Sequence, residues 1–179
     1  MEMVIRLLDS LGVPAQLKIN SVGDRRCRPA YLDLLRREAA GSRPQLCADC
    51  RRRAETNPLR LFDCKVEACQ AVIGRLPSIA EHLCADCEEH FSRVREYLRD
   101  AGVDFEIDPR LVRGLDYYTR TAFEVVSGEL GAQNALAGGG RYDGLSEILG
   151  GPPAEAFGFA IGMDRLAMLL PAKAAETRQ

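Results

Sequence analysis

Apolar residues recur at helical spacing over residues 2–11 and stop at Gly12, which predicts an amphipathic helix that lacks a capping residue at its start. AQLKIN (15–20) alternates weakly and predicts a strand, followed by the turn SVGDRR. Pro29 opens a helix that runs through Ala40, with Leu32 and Leu35 on one side and Gly41 as its stop. From about Gly41 to Asp100 there is no strand pattern. Asn57-Pro58 breaks a helix, Ser78 with Glu81 fits a capping box, and Phe91, Val94, Leu98 and Ala101 form a stripe at helical spacing closed by Gly102. The last third is β-rich. VDFEI (103–107) puts Val103, Phe105 and Ile107 on one face, and TAFEVVS (121–127) and NALAGGGR (134–141) read as strands. A short helix is expected around 143–149, then a buried strand AFGFAIG (156–162) running into a helix MDRLAMLL (163–170), and a polar tail that frays. The pattern predicts an α+β fold interrupted by a small helical insertion.

Composition narrows the class. With 179 residues and 46% apolar content, the chain can bury a proper core. A formal net charge of −2 argues against a generally basic nucleic-acid binder, so any such surface must be a local patch. MEMVIRLLDSLG has no signal-peptide organisation, and no apolar run approaches a membrane span, so a cytoplasmic protein with no membrane partner is expected. In a reducing compartment the seven cysteines point to metal ligation or buried thiols rather than to a disulfide framework.

Three stretches carry candidate chemistry. In LVRGLDYYTR (111–120), Gly114 permits a sharp turn, Arg113 offers a planar fork suited to phosphate or carboxylate, and Tyr117 and Tyr118 would face opposite ways in an extended segment. The plainer alternative is a loop with a surface arginine and two half-buried tyrosines. In AGGGRYDGL (137–145), three glycines weaken a strand by about 0.5–1 kcal/mol each relative to alanine, a cost usually offset by something lying flat on the backbone. The run fits neither a dinucleotide fingerprint nor a phosphate loop, and Arg141 and Asp143 could pair across the turn. In GFAIGMDRL (158–166), Arg165 in a first helical turn opposes the helix dipole, which favours a bound anion over solvation or pairing with a nearby acid.

Together these stretches resemble the histidyl-tRNA synthetases, a family of class II aminoacyl-tRNA synthetases. RGLDYY (113–118) and GGGRYDGL (138–145) look like the two histidine-specific motifs, GFAIGMDRL looks like class II motif 3, and ETNPLRLFDCK (55–65) resembles the insertion domain of bacterial members. The resemblance implies a class II synthetase-like antiparallel sheet with flanking helices. It divides the chain into catalytic core (1–41), helical insertion (42–101), catalytic core with the motifs (102–171) and a flexible tail (172–179). It implies a histidine–tRNA ligase that makes histidyl-adenylate from histidine and ATP and transfers the histidyl group to the histidine tRNA. Magnesium would accompany ATP, and the full-length protein would be a homodimer.

By match to the motifs, Arg113 would contact the α-phosphate and the histidine carboxylate as the catalytic cation. Tyr117, Tyr118, Gly138, Gly139 and Gly140 would form the histidine pocket, and Arg165 would grip the terminal phosphate of ATP. Asp164 stands where motif 3 usually has glutamate, keeping the charge with a shorter reach. Motifs 1 and 2 and the anticodon-binding domain have no counterpart in the sequence, so the chain is expected to be part of a synthetase. The alternative reading is a synthetase-like regulatory subunit that binds histidine in histidine biosynthesis.

Cys47 and Cys50 form one C-x-x-C, and Cys84 and Cys87 form another, within a duplicated LCADC. The two knuckles suit a tetrahedral Cys₄ zinc site, while Cys64 with Cys69 offers a second pair and Cys27 stands apart. Reduced buried thiols are the alternative. Arg51, Arg52, Arg53 and Arg60 give the insertion a basic patch that could meet tRNA phosphates, or could be a solvated helix face.

Overall fold

The computed structural model describes residues 1–113, 117–131 and 134–170; Gly114 and the expected polar tail lie outside the described residues. Helix α1 (Glu2–Ser10) buries Val4 and Leu8, one turn apart. Gly12, at φ 67°, ends it, and the N–H of Val13 returns to the Leu8 carbonyl at 3.0 Å. Strand β1 (Gln16–Ser21) follows, then α2 (Arg28–Gly41), with a proline in its first turn. Helix α2 buries Tyr31, Leu35 and Ala39 and leaves Leu32 only half-buried.

Helices α3 (Ala48–Thr56), α4 (Glu67–Ile73) and α5 (Ala85–Asp100) come next, with 3₁₀ turns at Pro58–Asp63 and Ile79–His82. Asn57 leaves helical geometry at φ −150°, as the residue before a proline must. Ser78 does cap, accepting from the Ala80 N–H at 3.2 Å. The turn it caps is 3₁₀, so the bond falls two residues on rather than at the third residue of a capping box.

The chain then forms β2 (Phe105–Ile107), β3 (Thr119–Val126), β4 (Ala135–Arg141), α6 (Leu145–Ile148), β5 (Phe157–Ile161) and α7 (Met163–Leu169). The five strands make one sheet in the order β2-β1-β3-β4-β5. All neighbours are antiparallel except β1 and β2. A parallel pair needs a long crossover, and α2 through α5 supply it.

Strand alternation gives the sheet two unlike faces. Leu17, Ile19, Phe123, Val125 and Ala137 point one way. They pack with Val4 and Leu8 of α1, Phe91 and Leu98 of α5, and Leu166 of α7. Lys18, Asn20, Ala122, Glu124, Gly138 and Gly140 occupy the alternate positions, in register across three strands. A separate apolar cluster, including Leu46, Cys50, Leu61, Cys69 and Ile73, holds α3 and α4 together.

Two strand expectations need correction. Strand β5 is not buried: Phe157 is 43% exposed, because β5 forms an edge of the sheet. Val103 is buried as expected, but Ile107 is 39% exposed at the other edge.

Candidate active site

Arg113 reaches the polar face of the sheet because the segment before it is tied to β1. The Asp108 N–H donates to the Ile19 carbonyl at 3.0 Å, and the buried Asn20 side-chain amide donates to the Leu111 carbonyl at 2.9 Å. Arg113 Nη1 then donates to Glu124 Oε1 at 2.6 Å, with both side chains largely shielded from water. A Cβ placed on Gly138 would lie 2.5 Å from Arg113 Cζ, so the guanidinium rests on bare main chain. Arg113 Nε is buried and has no partner among the described residues. A buried donor in a charged fork is costly to leave unpaired, and an anionic ligand would satisfy it.

The neighbouring glycines repeat this device on one face only. A Cβ on Gly140 would meet Tyr118 Cδ1 at 2.8 Å. Gly158, which pairs with Gly140 in register, would place a Cβ 2.5 Å from Tyr142 Oη. Gly139 points the other way, where its Cβ would meet Phe123 Cε1 and Phe159 Cβ, each at 2.7 Å. The structure therefore brings Gly138 and Gly140 together with Arg113 and Tyr118, and separates Gly139 from them. The three consecutive glycines are not one floor, because a strand turns successive positions to opposite faces.

Tyr117 and Tyr118 do not face opposite ways. Their ring centroids are 5.0 Å apart, and both rings meet Tyr142, at 5.9 and 6.4 Å. Opposed side chains require a regular extended segment, and these two residues precede β3. Just beyond them, Arg120 adopts φ 53°, a left-handed conformation that costs a non-glycine residue about 1–2 kcal/mol. The contacts that hold it are the Arg120 N–H to the Gly23 carbonyl at 2.8 Å and the Val22 N–H to the Arg120 carbonyl at 2.6 Å. Burial raises the Tyr118 phenol pKa, and a charge on Tyr117 would raise it further.

Arg28, which sequence reasoning passed over, organises this loop. Its guanidinium donates to the carbonyls of Val22 and Gly23, both at 2.8 Å, and of Tyr118 at 2.6 Å. A cavity of about 250 Å³ opens beside it, lined by Leu32, Asn57, Pro58, Arg113 and Tyr118 among others. The Asn57-Pro58 step that breaks α3 thus comes to the wall of the site. A wider cavity of about 580 Å³ shares Arg28 and Tyr118 and extends to Asp24, Arg120 and Asp143. Tyr142 and Gly158 were also missed, although the alternation of glycines within the motifs was the signal for them.

Arg165 lies at the far end of β4, where its Nη1 donates to the Ala135 carbonyl. Ala135 is three residues from Gly138, or about 10 Å along the strand. Arg141 pairs with Asp143 at 2.7 Å, as expected, and also with Glu155 at 2.8 Å. The arginines of the insertion are drawn into local contacts. Arg51 donates to the Leu46 carbonyl, Arg53 to the Arg60 carbonyl, and Arg52 and Arg60 pair with Asp49 and Asp63.

The cysteines group differently from the expected set of Cys47, Cys50, Cys84 and Cys87. Cys47 and Cys50 meet Cys64 and Cys69, whereas Cys84 and Cys87 meet Cys27 and Asp24. The chain after α3 folds Cys64 and Cys69 back over Cys50, while α5 starts beside the loop between β1 and α2. Each C-x-x-C starts at the N-cap of its helix. The Cys50 N–H lowers the Cys47 thiol pKa to about 7, and the Cys87 N–H lowers that of Cys84. Burial raises Cys50 and Cys87. Burial also pushes the Asp24 carboxyl upward, but the N–H groups of Arg26 and Cys27 and the Arg26 guanidinium outweigh it and hold Asp24 well below the usual carboxylate range.

The chain is similar to known proteins along most of its length. Residues 23–166 match the profile described as "Histidyl-tRNA synthetase". The chain is 55% identical over 169 residues to a histidine–tRNA ligase of Solibacter usitatus, covering 93% of this chain and 41% of that protein. It is 56% identical over 160 residues to one from an Anaeromyxobacter species, covering 89% and 39%. The chain thus spans about two fifths of the length of these curated relatives. The crystal structure of apo S. aureus histidyl-tRNA synthetase superposes with a TM-score of 0.73 at 36% identity, covering 98% of this chain and 43% of that one. A Bacillus halodurans protein described as an ATP phosphoribosyltransferase regulatory subunit/histidyl-tRNA synthetase shares the fold at 21% identity, with a TM-score of 0.58 and coverage of 96% and 48%.

Proposed function

Because the chain belongs to the histidyl-tRNA synthetase family, we propose that it forms the part of a histidine–tRNA ligase that holds the histidine pocket and an α-phosphate-binding arginine. The observation that carries this reading is Arg113, fixed by Glu124 and by the bare chain of Gly138, with its buried Nε still unpaired among the described residues. In the activation step a histidine carboxylate oxygen attacks the α-phosphorus of ATP and pyrophosphate leaves. Charge builds on the α-phosphate oxygens, and a preplaced guanidinium stabilises it most at that moment. Arg113 acts by position and charge, and it moves no proton.

Tyr117 and Tyr118 offer phenols to the imidazole, with Gly138 and Gly140 as the close floor. A site built around such a bond rejects an amino acid that lacks the partner. Gly139 supports that floor from the opposite face of the sheet. Arg165, anchored at the other end of β4, is assigned to the terminal phosphate of ATP, which enters with magnesium as substrate. The histidine tRNA is the acceptor, the full-length protein is a homodimer, and the location is cytoplasmic. The cysteine-rich segment is read as zinc-bound, on the convergence of its thiols. The chain is divided into core (1–41), insertion (42–101), core (102–171) and tail (172–179), with α5 shared between insertion and core.

The test is histidine-dependent exchange of pyrophosphate into ATP by the full-length protein. Arg113→Ala should leave ATP binding nearly intact and collapse the exchange. A variant that exchanges at the wild-type rate refutes the role of Arg113. Histidine binding with no exchange by the wild-type protein would instead indicate a regulatory subunit of histidine biosynthesis.

A further inference from the structure

The seven cysteines divide, with Asp24, into two groups of four, and every donor atom within a group lies within 4.8 Å of the others. From this we infer that the chain holds two separate structural zinc ions, one bound by Cys47, Cys50, Cys64 and Cys69, the other by Asp24, Cys27, Cys84 and Cys87. The inference refines the zinc-bound reading above by giving the number of ions and the ligands of each.

In the first group, two pairs close in sequence meet in space, as in a zinc knuckle. Three backbone N–H groups already aim at its sulfurs. Cys69 Sγ accepts from the Cys47 N–H at 3.2 Å, Cys47 Sγ from Cys50 at 3.4 Å, and Cys64 Sγ from Val66 at 3.4 Å. Such donors orient the sulfurs around the shared centre, as the outer hydrogen bonds of a metal site do. Cys50, Cys64 and Cys69 are buried, so unmetallated thiolates there would be uncompensated charges. A set of four sulfurs all within 4.8 Å of one another suits a soft, four-coordinate ion.

In the second group, Cys27 Sγ and Cys87 Sγ are 3.8 Å apart. A disulfide needs about 2.05 Å, whereas the edge of a tetrahedron with Zn–S bonds of about 2.3 Å is about 3.8 Å. Cys27 Sγ also accepts from the Asp24 N–H at 3.4 Å. The Asp24 carboxylate is oriented by the N–H groups of Arg26 and Cys27, at 2.9 and 3.2 Å, which is the support a metal-ligating carboxylate needs.

The two ions have different jobs. The first crosslinks α3 to the chain around α4, entirely within the insertion. The second ties the start of α5 to the loop between β1 and α2, the loop that Arg28 bonds to the Tyr118 carbonyl. It therefore braces the wall of the active site from behind.

The experiment is zinc content of the chain purified without chelator and under reducing conditions, for wild type, Cys64→Ser and Cys27→Ser. Two equivalents are expected in the wild type and one in each variant. Cobalt titration of the metal-free wild-type chain, refolded with the ion, keeps the assignment testable should a variant fail to fold. Thiolate-to-cobalt charge transfer should reach four thiolates per ion at one site and three at the other. A wild type with a single equivalent that is lost in both variants, a wild type with a single equivalent that is lost only in Cys64→Ser, or no bound metal with seven freely titrating thiols would each overturn the two-site assignment. None of these readouts uses histidine or ATP, so failure of the ligase reading would leave the result intact, and the reverse holds for pyrophosphate exchange.

Discussion

The Arg113 guanidinium lies directly on the main chain of Gly138, where a single added methyl would sit 2.5 Å from its Cζ. One residue along, a methyl on Gly139 would strike the Gly158 carbonyl and the Phe123 ring on the other face. The two positions should therefore fail in different ways. Gly138→Ala pushes only the end of a flexible side chain, so thermal stability should change little, while histidine-dependent pyrophosphate exchange in the full-length protein falls at least about tenfold, or about 1.4 kcal/mol in the barrier. Gly139→Ala overpacks core and should lose about 1–3 kcal/mol of stability. Equal melting temperatures for the two variants would contradict this division of faces.

Glu124 positions Arg113 through the 2.6 Å ion pair. Glu124→Gln keeps the shape and removes the charge. A partly exposed pair is worth at most about 1 kcal/mol, so the melting temperature should barely move. The exchange rate should drop while the KM for ATP holds, because the fork is no longer held in place. An unchanged rate would remove Glu124 from the site.

Arg28 donates to three main-chain carbonyls, two in the loop after β1 and one just before β3. Arg28→Ala leaves those carbonyls without their charged donor and should cost about 1–3 kcal/mol. Arg28→Lys should recover only part of this, since an ammonium cannot reproduce the planar fork. Urea unfolding of the three proteins tests the claim, and a wild-type midpoint in Arg28→Ala would refute it.

His90 on α5 has a buried Nδ1 with no partner among the described residues. Burial first, then the nearby Arg120 and Arg141 charges, lowers its pKa below the ordinary value of 6.5. The unfolded chain therefore takes up the proton before the folded one does. This group's contribution is present above about pH 6.5 and is lost as pH falls through the ordinary value toward the lower folded value. Between about pH 7.5 and 5.5, the urea midpoint of the wild type should fall more steeply than that of His90→Gln. Parallel curves would show that His90 is not responsible.

Much of the site was legible along the chain because its motifs are local. The spacing of Arg113, Tyr117 and Tyr118 and the run Gly138–Gly140 are properties of short segments, and helix and strand periods follow from neighbours a few residues apart. Arg28 was not legible, because its partners include a carbonyl ninety residues away. The same holds for the place of Asn57 and Pro58 on the wall of the site, since along the chain they read only as a helix break within the insertion motif.

The sequence by itself determined the elements, the amphipathic stripes, the arginine-glycine-tyrosine motifs and the supply of thiols, since each depends on residue type and short-range periodicity. Only the tertiary structure decided that Gly139 turns away from Gly138 and Gly140, that Tyr117 and Tyr118 share one aromatic cluster with Tyr142, and that the two C-x-x-C knuckles belong to different groups. Those outcomes depend on strand parity fixed by cross-strand register and on where the long crossover returns the chain, and both are set by burying the apolar face of the sheet.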